Sequence, residues 1–334
     1  MRLLRAVQVF VEPVAACDDF SERDRSVVAA AGCGSGALGN MLGEATIQPR
    51  PASPLRTLLL LGRVSNLPTV WSNCLAGWLL GGSGEIRRLL LVCLGTTLLY
   101  LGGMYWNDAF DADFDREYRQ ERPIPSGSIP AQAVWLWGAG WLALGFLVLA
   151  VCGTVTSVLG LSLICCIVIY DAIHKRFSLS PLLMAACRFF IYLIAASVGA
   201  GGISGLTIWS ALVLALYVVG LSYLARQESL PGTLRYWPCL LLAAPIVLAV
   251  IVNTGEYRQR GWLLSLALML WVIRSLRYAY WSVPRHVGRS VASLLAGIVL
   301  VDLLAVAGGE HVTPLIFIAL FSAALLFQRF IPAT

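Results

Sequence analysis

Long apolar segments alternate with short polar connections from about residue 58 to residue 330. The segments are about 17 to 21 residues long, close to the length of helix that crosses a bilayer. Helices are expected because backbone polar groups that face lipid must be satisfied within their own segment. The predicted helices occupy residues 64–80, 89–106, 132–151, 154–170, 181–200, 206–225, 236–253, 261–281, 290–307 and 312–330. The last two are either two full spans or one shorter hairpin, so the pattern predicts nine or ten transmembrane helices.

The composition excludes an ordinary soluble domain. Hydrophobic residues make up 58% of the chain and charged residues only 13%, with a mean hydropathy of +0.78, whereas soluble domains carry about 25% charged residues. The net charge of +6 does not indicate a nucleic-acid partner, because the chain has one lysine, Lys175, and its arginines are dispersed near the ends of apolar segments. The predicted fold class is all-α, a polytopic membrane protein surrounded by lipid, with no obligate protein partner evident.

Residues 1–55 differ from the rest of the chain. They contain six acidic residues and no apolar run of span length. We interpret them as a disordered tail, or as upstream sequence ahead of a natural initiator at Met41, and we assign no chemistry to them. Residues 56–330 are predicted to form one transmembrane domain.

The polar connections are not equally basic on the two sides of the membrane. One set carries Arg116, Arg119, Arg122, Lys175, Arg176, Arg226, Arg235, Arg277, Arg285 and Arg289. The opposite set carries Arg87, Arg88, Arg258 and Arg260. Because basic loops remain in the cytoplasm, the first set is predicted to be cytoplasmic, in what we expect to be a bacterial inner membrane.

Six of the 18 acidic residues lie within one stretch of 14 residues that directly follows an apolar helix. At 100° per residue, Asp108, Asp111 and Asp115 fall within about 60° of one another, whereas Asp113 points away. Each pair would repel by roughly 3 kcal/mol at about 6 Å and an effective dielectric near 20, so a positive charge is expected between them. Such oxygen ligands suit Mg²⁺, which bridges carboxylates to substrate phosphates. We predict a metal site flanked by Asn107; the alternative is a solvated acidic loop.

Three polar patches in the cytoplasmic loops are candidates for binding a diphosphate and its metal. Arginine can fork onto phosphate oxygens, and lysine can neutralise a diphosphate as it leaves. Each patch has an alternative without chemistry: the first only satisfies the positive-inside preference, the second is a helix-end cation pair, or the third is a surface ion pair. The patches are Arg122 after the acidic stretch, Tyr170 with Lys175 and Arg176 at the end of the fourth helix, and Arg226 with Glu228 at the end of the sixth. In the third patch, Glu228 could complete a second metal site.

Four polar side chains lie inside predicted spans, where they are costly without a role. Asn66 and Asn73 are seven residues apart on one face of the first helix, so they either line a cavity or bond across helices. Arg188, deep in the fifth helix, either meets the diphosphate or an acidic acceptor group, or pairs with an aspartate for structure. Asp302 has no partner that the sequence identifies.

Together these residues resemble the UbiA superfamily of intramembrane prenyltransferases over roughly residues 58–290. Asn107, Asp108, Asp111 and Asp115 match that family's Asn-Asp-x-x-Asp-x-x-x-Asp motif at the cytoplasmic end of the second helix. Further similarity lies in Arg122-Pro-x-x-Ser126-Gly127, in Tyr170…Lys175-Arg176…Leu179-x-Pro181, and in Arg63, Asn66, Pro68 and Asn73 of the first helix.

The resemblance implies a bundle of nine helices that transfers a prenyl group from a prenyl diphosphate to a lipophilic acceptor, with Mg²⁺ as cofactor. It implies that Asp108, Asp111 and Asp115 hold the metal and act in catalysis together with Lys175. The predicted substrate-binding residues are Asn107, Arg122, Tyr170, Arg176, Arg188, Arg226, Asn66 and Asn73; Arg188 and Arg226 are included for their positions in the sequence rather than for the resemblance.

One part of the family pattern is missing. The family has a second motif, Asp-x-x-x-Asp, after the sixth helix, where this chain has Arg226-Gln-Glu228 and so a single carboxylate for a second Mg²⁺. In this respect the chain is similar to the EboC-like proteins of bacterial gene clusters. The missing pair motivates an alternative function, a non-catalytic relative that binds or moves an isoprenoid lipid.

Two other classes are disfavoured. A CDP-alcohol phosphotransferase would have an Asp-Gly…Ala-Arg lead into its aspartates, and none precedes Asp108. A transporter would place its charged groups near the membrane midplane, whereas the acidic stretch is predicted at a membrane surface.

Overall fold

The structure is a computed structural model that describes residues 53–175, 177–227, 235–308 and 313–332. The predicted tail lies almost entirely outside these ranges, as do Arg176 and Glu228. The described residues belong to one unit that begins at Pro51.

Within these ranges the chain forms α-helices and no strand, which confirms the all-α prediction. The helices are α1 (Pro54–Leu61), α2 (Leu67–Leu80), α3 (Ile86–Phe110), α4 (Ala112–Tyr118), α5 (Ala131–Ala150), α6 (Thr154–Ile173), α7 (Ser180–Ser197), α8 (Gly205–Arg226), α9 (Trp237–Leu241), α10 (Ala244–Val252), α11 (Arg258–Tyr280), α12 (Val287–Ala305) and α13 (Thr313–Phe330). Among them α3, α5, α6, α7, α8, α11 and α12, seven helices in all, are long and apolar enough to cross a membrane. The chain is an integral, multi-pass membrane protein, and the count of nine or ten spans stays a prediction.

Two of the predicted helices begin or break at prolines. The first begins at Leu67, because residues 64–66 form a 3₁₀ turn and Pro68 occupies the first turn of α2, where its missing N–H costs nothing. The segment predicted over 236–253 is divided into α9 and α10. Pro245 lies in the first turn of α10 and cannot donate a backbone hydrogen bond to α9.

Glycines bring α3 and α5 into backbone contact and so set the position of the acidic stretch. A Cβ added to Gly145 would lie 2.9 Å from the carbonyl oxygen of Gly95, and one added to Gly102 would lie 3.0 Å from that of Gly138. Small residues allow membrane helices to approach closely, and dispersion contacts then hold them together. The end of α3 that carries the acidic stretch is therefore held against α5.

Helices α3, α6 and α8 end on the same side of the bundle, which we call the motif end. Lys175, just after α6, contacts Asp111, just after α3. Arg226, at the end of α8, donates to the carbonyl oxygen of Phe177 in the loop after α6 at 2.9 Å. These contacts bring together the loops that carry the predicted site residues.

Helices α7, α8 and α12 each contribute large, fully buried side chains to the core. Tyr192, Tyr217 and Leu294, one from each of these helices, are inaccessible to solvent. Helix α12 is the most enclosed of the long apolar helices. A polar residue on α12, such as Asp302, is therefore surrounded by protein rather than by lipid.

Candidate functional site

The acidic stretch keeps its helical spacing although the helix is interrupted. Helix α3 ends at Phe110 and α4 begins at Ala112, yet Asp111 N donates to Asn107 O at 3.0 Å and Asp115 N donates to Asp111 O at 2.9 Å. The i to i−4 bonds thus continue through the junction. In agreement with the sequence geometry, Asp108, Asp111 and Asp115 are buried (6%, 7% and 1% exposed). The side chain of Asp113 is 94% exposed and pairs only locally with Arg116.

Arginines provide the positive charge that was expected between these carboxylates. Oδ1 of Asp108 lies 3.1 Å from Arg63 Nη2 and 3.1 Å from Arg122 Nη1. The same Nη1 of Arg122 lies 3.1 Å from Asp115 Oδ2. Arg122, which the sequence analysis assigned to substrate phosphate, therefore bridges two carboxylates in this structure.

The third carboxylate, Asp111, is held by the end of α6. Its Oδ1 lies 2.8 Å from Lys175 Nζ and 3.3 Å from His174 Nε2. Burial acts to raise the pKa of Asp111, but hydrogen bonds from His174 and Lys175 outweigh it and hold that pKa below its usual value. For Asp115, burial dominates over the attraction of Arg122, and the pKa is raised. Lys175 Nζ also lies 3.9 Å from the centre of the Phe114 ring, a cation–π contact.

Asn107 contacts Arg63 and joins one more side chain, Asp171, to the cluster. Its Oδ1 accepts from Arg63 Nη2 at 3.2 Å, and its Nδ2 donates to Asp171 Oδ1 at 3.2 Å. Because both ends of the amide are engaged, its orientation is fixed. Asn107 therefore ties the start of α2 and the end of α6 to the end of α3.

Three cluster residues were not among the predicted site residues: Arg63, Asp171 and His174. Asp171 and His174 were recognisable in principle, because His174 and Lys175 follow Asp171 by three and four residues, spacings that share a helical face. Tyr170, which was predicted, stacks on His174 with ring centres 5.1 Å apart, at the edge of the cluster.

Arg63 reaches the cluster through an unusual backbone conformation. Its φ of 40° lies in the left-handed region, which non-glycine residues seldom adopt outside functional or tightly held positions. The hydroxyl of Tyr100 donates to the carbonyl oxygen of Arg63 at 3.2 Å and helps to hold this conformation. Residue spacing does not reveal that Arg63 belongs to the cluster, because its contact with Asp108 forms only when the segment before α2 packs against α3.

Arg226 is used elsewhere than predicted. Its Nη1 donates to the carbonyl oxygens of Phe177 (2.9 Å) and Ser178 (3.1 Å) and to Ser180 Oγ (3.1 Å). The structure does not bring this guanidinium to the carboxylates; it holds the loop that follows Lys175. Arg176 and Glu228, the remaining residues of these patches, lie outside the described residues.

A second polar group lies inside the bundle, between α2, α7 and α12. Arg188 donates to Asn73 Oδ1 at 2.7 Å and to Thr69 Oγ1 at 2.9 Å, and Asn73 Nδ2 donates to Asp302 Oδ2 at 2.7 Å. Thr69 Oγ1 in turn donates to the carbonyl oxygen of Asn66, which is buried at the start of α2. We call this group the interior network.

Asp302, for which the sequence identified no partner, is the central acceptor of the interior network. Its Oδ2 also accepts from Ser72 Oγ, and its Oδ1 accepts from Tyr192 Oη at 2.6 Å. These partners lie on helices far away in the chain, which is why no local pattern revealed them. A buried carboxylate with several hydrogen bonds is far less costly than a bare one.

The donor set fits a magnesium ion that is shared with a substrate. Among the described residues, no group of three or more His, Cys, Asp or Glu side chains is arranged so that it could hold a metal ion by itself. Two buried carboxylate oxygens at the motif end, Asp115 Oδ1 and Asp171 Oδ2, have no hydrogen-bond partner in the described part of the chain. Mg²⁺ is commonly bound by one or two carboxylates, with waters and substrate phosphates completing its octahedron. Asp108, Asp111 and Asp115 supply oxygens of this kind.

Known proteins resemble this chain in sequence. A family model described as the UbiA prenyltransferase family matches residues 65–284. A digeranylgeranylglyceryl phosphate synthase from Methanothrix thermoacetophila is 26% identical over 243 residues, which cover 66% of this chain and 89% of that protein. A 4-hydroxybenzoate octaprenyltransferase from Idiomarina loihiensis is 31% identical over 99 residues, which cover 29% of this chain and 32% of that protein.

Solved structures share the fold. The apo structure of a UbiA homolog from Aeropyrum pernix K1 has a TM-score of 0.58 at 16% identity and covers 75% of this chain and 98% of that one. A UbiA homolog from Archaeoglobus fulgidus bound to GPP and Mg²⁺ has a TM-score of 0.50 at 17% identity and covers 82% of this chain and 97% of that one. At 16% and 17% identity, these matches show that the fold is shared and nothing more.

Proposed function

The chain belongs to the UbiA prenyltransferase family, and from this premise we propose that it carries out a Mg²⁺-dependent prenyl transfer inside the membrane. The donor is a prenyl diphosphate, and the acceptor is an aromatic or other lipid-pathway compound. The observation that carries the proposal is the set of three buried carboxylates at the motif end, each in contact with at least one basic side chain.

The ion pairs suggest how a diphosphate would be received. Mg²⁺, when bound, supplies positive charge that neutralises the diphosphate and stabilises it as a leaving group. Arg63, Arg122 and Lys175 would exchange part of their carboxylate contacts for diphosphate oxygens, with which guanidinium and ammonium groups bond strongly. They would stabilise the negative charge that develops as the allylic C–O bond breaks. The acceptor then bonds to the allylic carbon and loses a proton.

Arg226 and Arg188 have different parts in this proposal. Arg226 acts indirectly, by holding the loop that carries Lys175. Arg188 uses two of its five N–H donors within the interior network, so donors remain for an anionic group on the acceptor. The names of the two relatives, a phosphate-containing lipid synthase and a hydroxybenzoate transferase, are consistent with acceptors that carry such a group.

The orientation is part of the proposal. We infer that the motif end, which carries Lys175 and Arg226, faces the cytoplasm, because basic loops remain on that side, and we expect the membrane to be a bacterial inner membrane. Soluble diphosphate would then enter from the cytoplasm, while the prenyl chain and the acceptor remain in the bilayer.

The test is a turnover assay on the full-length protein in lipid nanodiscs. Prenyl diphosphates of increasing chain length are supplied with Mg²⁺ and with hydroxybenzoate or glycerophosphate-type acceptors, and pyrophosphate release is measured together with the prenylated product. We expect release that requires both metal and acceptor. Binding of prenyl diphosphate without Mg²⁺-dependent turnover on any acceptor would instead support the non-catalytic isoprenoid-binding alternative.

A further inference from the structure

Asp171 has a carboxylate oxygen that nothing described in the chain satisfies. Asp171 lies near the end of α6 and is 4% exposed. Its Oδ1 accepts from Asn107 Nδ2 at 3.2 Å, whereas its Oδ2 is buried and has no hydrogen-bond partner among the described residues. An ionised oxygen left in this state is costly. The side chain is therefore suited to receive a positively charged ligand.

Asp171 lies at the motif end, where its Oδ1 contacts Asn107 of α3. His174 and Lys175 follow Asp171 by three and four residues, and both contact Asp111 Oδ1. Residues at these spacings lie on one helical face, so the face of α6 that carries Asp171 is the face turned toward the end of α3. On the α4 side of the same cluster, Asp115 Oδ1 is a second buried oxygen without a partner.

Asn107 would hold the carboxylate in a fixed orientation. Arg63 Nη2 donates to Asn107 Oδ1, and the opposite end of this amide donates to Asp171. One Asp171 oxygen is thus occupied in positioning, and the other remains available. Metal-binding carboxylates typically have this arrangement, in which a hydrogen bond from a neighbouring group orients the carboxylate that binds the metal.

We infer that Asp171 is a further ligand for a divalent cation at the motif end. The sequence leaves a need for such a ligand, because its second aspartate motif is reduced to one carboxylate, Glu228. The inference rests on the proposed function. It extends the metal site from α3 and α4 to α6, so that a diphosphate and its metal would lie between two helix ends rather than against one.

Mn²⁺ binding, measured by electron paramagnetic resonance, tests this inference without relying on turnover. The full-length protein in nanodiscs is titrated with Mn²⁺ in the presence of a non-hydrolysable prenyl thiodiphosphate. Asp171→Asn preserves the shape of the side chain and can still accept from Asn107. We expect it to lose one bound Mn²⁺ or to weaken Mn²⁺ binding by at least about tenfold, the lower range for losing a group that supports a metal site.

Two further variants make the measurement decisive. Asp113→Asn, in the same acidic stretch but with an exposed side chain, should bind Mn²⁺ as the wild type does. Asp171→Glu restores the carboxylate and should recover part of the lost binding, with melting temperatures recorded to show that each variant is folded. Wild-type stoichiometry and affinity in folded Asp171→Asn would overturn the inference and leave Asp171 as a structural partner of Asn107.

The outcomes also separate this inference from the proposed function. A wild-type protein that binds Mn²⁺ through Asp171 but never releases pyrophosphate would refute the transferase and support the ligand. Turnover in the wild type together with unchanged Mn²⁺ binding in Asp171→Asn would support the transferase and refute the ligand.

Discussion

The described part of the chain has two groups of buried charges, and they are satisfied in different ways. At the motif end, carboxylates contact cations directly, as Asp108 contacts Arg63 and Arg122. In the interior network, Asp302 accepts hydrogen bonds from the neutral groups of Ser72, Asn73 and Tyr192, and Arg188 is joined to it through Asn73. The first group is a set of ion pairs, and the second is a set of hydrogen bonds between neutral and charged groups.

The difference indicates two roles. Ion pairs at the end of a bundle can exchange partners when a charged ligand arrives, because the ligand replaces one charged partner with another. A network of hydrogen bonds enclosed between α2, α7 and α12 has no such alternative, since each broken bond would leave a polar group in an apolar medium. We therefore expect changes at the motif end to alter activity and changes in the interior network to alter stability.

The largest effect is expected from removing carboxylates at the motif end. Asp111→Ala and Asp115→Ala should each slow pyrophosphate release by at least about a hundredfold, because metal-assisted charge stabilisation is worth several kcal/mol and about 1.4 kcal/mol is a factor of ten. The free energy of unfolding should change by about 1 kcal/mol or less, since the lost ion pair is offset by relief of carboxylate repulsion.

Asp113→Ala is the matched control for this prediction, because the Asp113 side chain is exposed and lies in the same stretch. It should retain wild-type turnover and stability. A double variant, Asp111→Ala with Asp115→Ala, that is well expressed and active would show that these carboxylates are not the site.

In the interior network the largest change should be in stability. Asp302→Ala removes three hydrogen bonds and should lower the free energy of unfolding by about 2 kcal/mol, at roughly 0.6 kcal/mol for each hydrogen bond between membrane helices. Thermal unfolding in detergent would measure it. Glu85→Ala, which breaks an exposed ion pair with Arg88, is the control and should have almost no effect. Equal stability of the Asp302 and Glu85 variants would contradict a structural role for the network.

Lys175→Ala should have an intermediate effect on turnover. Lys175 is the only lysine in the sequence, and its Nζ contacts Asp111. Losing this cation should slow pyrophosphate release by about ten- to a hundredfold, since a hydrogen bond to a charged group is worth about 1.5–3 kcal/mol. Lys175→Arg should recover part of the rate. Arg116→Ala removes an exposed cation from the same region and is the control. A decrease in the rate of pyrophosphate release as large as that in Lys175→Ala would indicate a general effect of net charge instead.

The smallest effect is expected for Arg226→Ala. Because Arg226 holds the backbone of the loop after Lys175, its loss should raise the KM for prenyl diphosphate by about three- to tenfold, which corresponds to the roughly 1 kcal/mol of a typical hydrogen bond. The measurement is a titration of prenyl diphosphate at saturating acceptor. A decrease in kcat comparable to that of Lys175→Ala would instead support the assignment of Arg226 to direct contact with phosphate.

Tertiary packing decided several features that no local pattern revealed. Arg63 and Asp108 are 45 residues apart in the chain, and Asn73 and Asp302 are 229 apart. Their contacts depend on which helices pack together and on how each helix is rotated. Arg226 was assigned to phosphate from its residue type and its neighbours in the sequence. In the structure its guanidinium instead donates to carbonyl oxygens of the loop after α6. Asp302 had no visible partner for the same reason.

What the sequence determined by itself are the properties that follow from local periodicity and from transfer into lipid: the approximate helix positions, the membrane class, and the common face of Asp108, Asp111 and Asp115. Each of these depends on residues only a few positions apart. The tertiary structure alone decided which cations satisfy which carboxylates, that Asp171 joins the motif end, and that Asp302 is enclosed by hydrogen-bond donors. Such pairings are set by the close approach of distant helices, and a one-dimensional pattern does not contain that information.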